Sequence, residues 1–400
     1  MPAHPRHSEA AAGPTATAAA QPRVLVLHNR YRIEGGEERS VELQLRALRE
    51  AGIEHRLFER RSVEAGRAQA ATALLRGGLR PAEVARAVRD LRADVVHAHN
   101  TLPLVGPGGL AAAREAGAGV VLHLHNLRIF CATGFGERDG APCFRCHHRR
   151  TLPGLVLNCR RSLPEAATYA AALSVHQPAL VAAVDRFLAP SAWAAGQVVR
   201  LGLPPDRVEA LPHFLPDSAF AARSRAGDGE YALVASRLSP EKGIDDAVVA
   251  CAEAGIPLRV AGAGPERERL EDLAARKGAG VAFLGRIGPE EVRAQLGGAA
   301  MVVMPSHYHE FSPYSALEAM AQGVPVVATA MGGLPELLGD GATVPRRDPV
   351  ALLERLRSLW TDRAARTGEG DALIARARGR HSQDRYVRAL MDLYARVRAS

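Results

Sequence analysis

Aromatic residues make up only 4% of the 400 residues, and that scarcity removes one class of function at once. Proteins that hold single-stranded nucleic acid stack bases on aromatic side chains, and this chain has little material for such a platform. Lysine is scarcer still: Lys242 and Lys277 stand alone among cations that are otherwise arginine. Long apolar runs are missing too. The longest uncharged stretch, Ala166 to Val184, is interrupted by Thr168, Tyr169, His176, Gln177 and Pro178, which is too polar for a membrane span. Residues 1–22 are rich in alanine, proline and threonine, and they lack the continuous apolar stretch of a secretory signal. They read as a disordered tail, and the chain reads as cytoplasmic, able at most to rest on the inner face of a membrane.

What is present argues for two folded domains. Hydrophobic residues reach 47%, enough to build cores, and 400 residues exceed one ordinary domain. The net charge of +8 is spread widely. Its densest run, Arg145 to Arg161, holds five arginines and two histidines. A nucleic-acid binder or a membrane-surface protein would concentrate such charge in a stripe, so neither is favoured, although a basic surface binder stays as an alternative.

Short apolar runs alternate with helical stretches. RVLVLHN (23–29), EHRLFER (54–60), ADVVHAHN (93–100), GVVLHLHN (119–126) and DRFLAPS (185–191) precede YALVASRL (231–238), LRVAGAG (258–264), VAFLGRI (281–287), AMVVMPS (300–306) and VPVVATA (324–330). Most are continuously apolar, as parallel strands covered on both faces must be, and helical segments such as Glu37–Glu50 and Pro289–Leu296 lie between them. This is the pattern of α/β domains. The series pauses between Leu215 and Glu230. The expected division is a first Rossmann-like domain over 23–215 with an irregular insert at 127–165, a second over 216–380, and a final helix over 381–400 that returns to the first. In open sheets of this kind ligands bind beyond the carboxyl ends of the strands.

Chemistry gathers at such ends. In HEFSPYSALEAMAQGVPVVA, Glu310 falls in a loop and Glu318 on the helix that follows. Ser312 is expected to cap that helix and Pro313 to open it. The amides of Phe311 and Ser312 then sit at a positive helix end that suits an anion. Two carboxylates beside an anion site suit a ligand carrying both phosphates and hydroxyls. In SRLSPEKG, Arg237 and Lys242 can aim at one diphosphate. Gly35 and Gly36, between the first strand and its helix, would let backbone approach a phosphate or simply make a flexible turn. Gly262 and Gly264 begin a dinucleotide fingerprint, but Arg267 holds its third glycine position, which disfavours a nicotinamide site.

The Glu310–Glu318 spacing with EAMAQGVPVVA, the Arg237/Lys242 pair, AGAGPE, Gly332-Gly333 in MGGLPELL and the HNRYRIEGGEE opening resemble glycosyltransferase family 4. The resemblance spans about residues 23 to 398. It implies the GT-B fold and a retaining, hexosyltransferase-type enzyme that moves a sugar from a UDP- or GDP-sugar to a hydroxyl, in surface polysaccharide or glycoconjugate synthesis. It needs no catalytic cofactor. On this resemblance Arg237 and Lys242 hold the donor diphosphate, Glu310 the sugar hydroxyls, Glu318 the ribose, and main chain near Arg286 and Ile287 the base. His125 matches a strand-end histidine that reaches the reacting sugar, where near-neutral titration would let it donate a proton; a structural histidine is the other reading. The acceptor would be a sugar, a lipid-linked or a small molecule, not nucleic acid. With no paired carboxylates evident in the first domain, front-face attack is expected, assisted by the leaving diphosphate. A GT-B sugar-nucleotide epimerase is the rival within the fold.

In the insert, Cys131, Cys143, Cys146 and Cys159 give one C-x2-C pair with two flanking cysteines. A tetrahedral structural zinc is one reading, with His147 or His148 able to replace a flanking thiol, and reduced packed cysteines are the other. Cys251 reads as a buried helix residue.

Overall fold

The computed structural model describes residues 21–31, 35–339 and 341–398; most of the expected tail, 1–20, lies outside them. Two six-stranded parallel sheets form. The first contains β1 (Val24–Arg30), β2 (His55–Arg61), β3 (Val95–Ala98) and β4 (Gly119–His123). After a small hairpin of β5 (Glu137–Arg138) and β6 (Ala141–Pro142) come β7 (Arg186–Ala189) and β8 (Val208–Ala210). Its order is β2-β1-β3-β4-β7-β8. The second contains β9 (Tyr231–Ala235), β10 (Leu258–Ala261), β11 (Val281–Gly285), β12 (Ala299–Met304), β13 (Val326–Thr329) and β14 (Thr343–Val344), in the order β11-β10-β9-β12-β13-β14.

Alternation along each strand explains the continuous apolar runs. Leu25 and Leu27 pack on one face of the first sheet with Val84, Leu110 and Val198. Val24 and Val26 pack on the other with Val41, Leu48 and Leu390. The second sheet repeats the scheme, with Val234 and Val260 facing Ile244 and Leu356 while Leu233 and Val302 face Leu317 and Leu373. Every strand of both sheet centres is therefore wet on neither side.

The segment after Leu215 is short of apolar residues yet well held. Arg366, 4% exposed, donates from its guanidinium to the carbonyls of Ala226 and Gly227 at 2.8 Å each, and to those of Leu359 and Trp360. One side chain thus supplies hydrogen bonds that the loop cannot make with itself.

The helix Gln383–Arg398 packs across β3, β4 and the helix Gly36–Glu50 of the first sheet. Tyr386 stacks on Phe214 with ring centroids 4.1 Å apart, and the Tyr394 hydroxyl hydrogen-bonds with His97 Nδ1 at 2.7 Å. Beside this helix Leu215 N–H donates to the carbonyl of His381 at 3.0 Å, so the two chain crossings between the sheets run side by side. Leu390 is fully buried in this contact. Leu390→Ala should cost about 2–4 kcal/mol, read by calorimetry as a lowered transition. An unchanged transition would mean that the helix only rests on the first sheet.

Candidate active site

The carboxyl ends of the two sheets face a cavity of about 1090 Å³, lined on one side by Tyr31, Glu37 and Arg128 and on the other by Arg237, Lys242 and Glu310. Gly243 adopts φ +61, and a Cβ there would lie 2.2 Å from the Pro305 carbonyl, so only glycine lets the Lys242 turn press against the end of β12. Lys242 Nζ then reaches Glu310 Oε1 at 2.7 Å and donates to the Tyr308 hydroxyl at 2.9 Å. Tyr308 donates to Glu310 Oε2 at 2.7 Å and Ser306 to Oε1 at 2.8 Å. Burial by itself would lower the pKa of Lys242, but the Glu310 carboxylate and the Tyr308 contact outweigh it and hold the ammonium charged.

The loop carrying Glu310 is pinned through three successive carbonyls. That of Glu310 accepts from Gly333 N–H at 2.7 Å, that of Phe311 from Ser191 Oγ at 2.6 Å, and that of Ser312 from His213 Nδ1 at 2.9 Å. Across a planar trans peptide the N–H points opposite to the carbonyl. The amides of Phe311 and Ser312 are thereby turned away from these partners. Gly332 makes this possible, since at φ +67 a Cβ would stand 2.1 Å from the Glu310 carbonyl oxygen.

Comparison with known proteins gives this geometry a family. A model of glycosyl transferases group 1 matches residues 217–378, and one of Glycosyltransferase Family 4 matches residues 34–218. The D-inositol 3-phosphate glycosyltransferase of Streptomyces coelicolor is 30% identical over 356 residues, covering 76% of this chain and 71% of that protein. The chain belongs to glycosyltransferase family 4. The enzyme of the same name from Streptomyces scabiei is 34% identical over 276 residues, or 61% of this chain, and the match spans 60% of that relative's length. The Anabaena protein HepE, solved with UDP and glucose, shares the fold at a TM-score of 0.65 with 16% identity, over 93% of this chain and 99% of its own. The fold is GT-B, as expected. No helix among the described residues is long and apolar enough to cross a membrane.

In this family 4 chain several expected site residues sit differently from the sequence reading. The helix starts at Tyr314 with Pro313 as its N-cap, so Ser312 lies one residue outside, held by its carbonyl rather than capping with its hydroxyl. Glu318 is off the cavity wall and pairs with Arg39 of the first domain at 3.7 Å; burial raises its pKa, and Arg39 opposes this. Arg286 is exposed and Ile287 half-buried, both beyond the wall. Gly35 and Gly36 are on the wall, but the Gly35 N–H is already spent on Glu38 Oε2 at 2.6 Å. With Glu37 and Glu38 in its first turn, this helix start is poorly suited to phosphate.

His125 also departs from expectation. It lines a side cavity of about 20 Å³, not the main one, and its Nε2 contacts His99 Nδ1 at 2.9 Å. Burial, reinforced by neighbouring histidines, holds its pKa well below the ordinary value. The four cysteines converge on one cavity of about 20 Å³. Among the described residues, however, the trios whose ligand atoms come within 4.8 Å of one another are histidines, not these thiols. Cys146 is pushed up to about 11 by burial and then by Cys131. The insert does more than flank the first domain: Phe135 meets Tyr308 at 5.7 Å, Phe144 meets His309 at 5.4 Å, and Arg346 donates to the Gly140 carbonyl. It reaches across the cleft.

Tyr308 and Glu37 were missed by sequence reasoning. Tyr308 carries no motif of its own, and Glu37 was hidden in a helix start. Glu37 lies on the cavity wall with Asn126 Nδ2 at 3.3 Å, and its pKa rises to about 7, through burial first and then Glu38. A carboxyl whose folded pKa exceeds its unfolded one costs nothing below about 4.5 and costs most above about 7. Glu37→Gln should therefore gain stability relative to wild type as pH rises through that window, on the order of 1–2 kcal/mol, a few degrees in Tm. Parallel Tm profiles for the two proteins would show that Glu37 is already ionised without penalty.

Proposed function

We propose that the protein transfers a sugar from a nucleotide diphosphate sugar to a hydroxyl acceptor, keeping the anomeric configuration. The observation that carries this reading is the Lys242–Glu310–Tyr308 cluster on the cavity wall, 2.7–2.9 Å between partners, beside the amides of Phe311 and Ser312, turned away from the groups that hold the preceding carbonyls. A cation next to hydrogen-bond donors suits a diphosphate that gains charge as its bond to the sugar breaks. Lys242 and Arg237 take the diphosphate. Glu310, released from Lys242, takes sugar hydroxyls. Glu318 takes the ribose after leaving Arg39, and the main chain at Arg286 and Ile287 meets a UDP or GDP base. HepE, bound to UDP and glucose, supports the donor class, and the inositol phosphate glycosyltransferases support a small hydroxyl acceptor.

Front-face attack remains the favoured route. Among the described residues, the first-domain carboxylates on the wall are Glu165, which pairs with Arg160 at 3.0 Å, and Glu37, the group a double displacement would use. A trapped sugar adduct on Glu37, seen by mass spectrometry, would replace front-face attack with that route. Structural zinc in the insert is a separate reading, supported by the convergence of four thiols on one small cavity. Their sulfurs would have to draw together to meet the short bonds zinc requires.

The decisive test is thermal shift with UDP-, GDP-, ADP- and dTDP-sugars. One nucleotide should raise Tm, and Lys242→Ala and Glu318→Ala should each weaken its binding at least about tenfold, about 1.4 kcal/mol. No shift with any of the four, in folded protein, would remove the transferase reading.

A further inference from the structure

At about 1090 Å³ the main cavity has room for an acceptor beside a donor. Its first-domain wall runs along the helix Arg67–Arg76 and the start of the helix Leu163–Ala183, which pack against each other. Ala68, Ala71, Leu74, Pro103 and Pro164 make this arm of the cavity largely apolar. Three arginines also stand on the first-domain wall. Arg160 is held by Glu165 at 3.0 Å, whereas Arg67 and Arg128 have no such carboxylate among the described residues.

Arg128 is set firmly by its surroundings. Its backbone N–H donates to Asn126 Oδ1 at 2.9 Å, and its guanidinium lies over the Tyr31 ring, 4.3 Å from the centroid. That ring is fixed in turn, because the Tyr31 hydroxyl donates to Asn100 Oδ1 at 2.7 Å. At Gly134, where φ is +83, a Cβ would come within 3.3 Å of Arg128 Nε. The Nε itself is buried without a hydrogen-bond partner. Glu37, the other carboxylate of this wall, meets Asn126 Nδ2 at 3.3 Å instead. A guanidinium stacked by its face keeps its N–H edge for a ligand, and that edge matches the oxygens of a phosphate in pairs. A charged donor left buried and unpaired is costly, and an anion in the cavity would relieve it.

Arg67 brings a second cation to the same wall. It is exposed and opens a helix whose N-cap, Gly66, offers no capping side chain and whose first turn holds no acid. Such a start favours a negative group. On the opposite wall Arg237 and Lys242 already match the charge of a donor diphosphate, which leaves Arg67 and Arg128 for the other substrate. We propose that Arg128 and Arg67 bind a phosphate group carried by the acceptor, and that the apolar arm beside them takes the uncharged part joined to it. This deepens the transferase reading and rests on it. The phosphate can come from a soluble sugar phosphate or from a lipid-linked sugar, since both present the same anionic oxygens to a guanidinium.

The test is calorimetric titration of the full chain. UDP and GDP are titrated first, and whichever binds is kept at saturation so that the donor diphosphate position is filled. Glucose 6-phosphate and citronellyl phosphate are then the probes, with glucose and citronellol as their uncharged counterparts. At least one ester should bind, and its alcohol at least about tenfold more weakly. Arg128→Gln should weaken that ester by about tenfold or more while nucleotide affinity stays within about twofold. Preference for glucose 6-phosphate would mark a soluble acceptor, and preference for citronellyl phosphate a lipid-linked one. Binding of neither ester, equal affinity for ester and alcohol, or an equal loss of nucleotide affinity in Arg128→Gln would overturn the proposal. Should Arg128→Gln not fold, Arg67→Ala at its exposed helix start decides: about threefold weaker ester binding supports the site, and unchanged binding rejects it. Failure of both nucleotides to bind counts against the transferase reading and takes the acceptor with it, whereas failure of the esters in nucleotide-loaded protein counts against the phosphate site alone.

Discussion

The two crossings between the sheets constrain everything else. At residues 213–215 the chain leaves the first sheet, and at 381–383 it returns, and the two strands of chain hydrogen-bond to each other through Leu215 N–H and the His381 carbonyl, and through His381 Nδ1 and the His213 carbonyl. A single flexible linker would let the sheets drift apart. A doubled one, backed by the stacking of Phe214 on Tyr386, restricts them to hinge-like motion about a fixed edge. The carboxyl ends of both sheets are thereby kept facing one cavity, and that opposition is what makes a shared site physically available.

From that edge the donor loop inherits its shape. Phe311 is held by Ser191 of the first domain and Ser312 by His213 of the crossing, while Glu336 of the second domain accepts from the amides of Ala192 and Trp193 at 2.9 and 3.0 Å. The last contact puts a carboxylate at the start of a first-domain helix, where the helix dipole favours it. These ties cross the boundary between domains, so the loop reports on how far the cleft is open. An opening motion would loosen the carbonyls of Phe311 and Ser312 and, across the peptide from the first of them, free the Ser312 amide. Domain position and the aim of the Ser312 amide are therefore linked through hydrogen bonds rather than through the bulk of the fold.

The architecture was legible because two-sided burial leaves a strong mark. Ten apolar runs marked ten of the twelve strands of the main sheets, whereas Val208–Ala210 and Thr343–Val344 escaped notice because three and two residues are too few to show a pattern. Motif residues in tight turns were also legible: Arg237, Lys242 and Glu310 all stand on the cavity wall. Side-chain direction was not. Whether Glu318 faces the cavity or Arg39 depends on a neighbour from another domain, and the partner of His125, His99, comes from the end of the adjacent strand. The cap at Ser312 failed because Pro313, at φ -74 and ψ 132, is itself the extended N-cap, and the helix begins one residue later.

The insert shows the same limit from the other side. Its composition advertised cysteines, yet its contacts run through Phe135, Phe144 and Gly140, which draw no attention in a sequence. Phe135 lies against Tyr308 and under the guanidinium of Arg237 at 5.6 Å, two residues of the second domain at the proposed diphosphate position. A ring there lowers the local dielectric around Arg237 and Lys242, which strengthens their attraction for an anion while stabilising the guanidinium through its own π face. The insert thus acts on donor charge from the opposite wall. The four thiols line one small cavity together with Phe144, so the packing at the root of the insert backs the ring that meets His309.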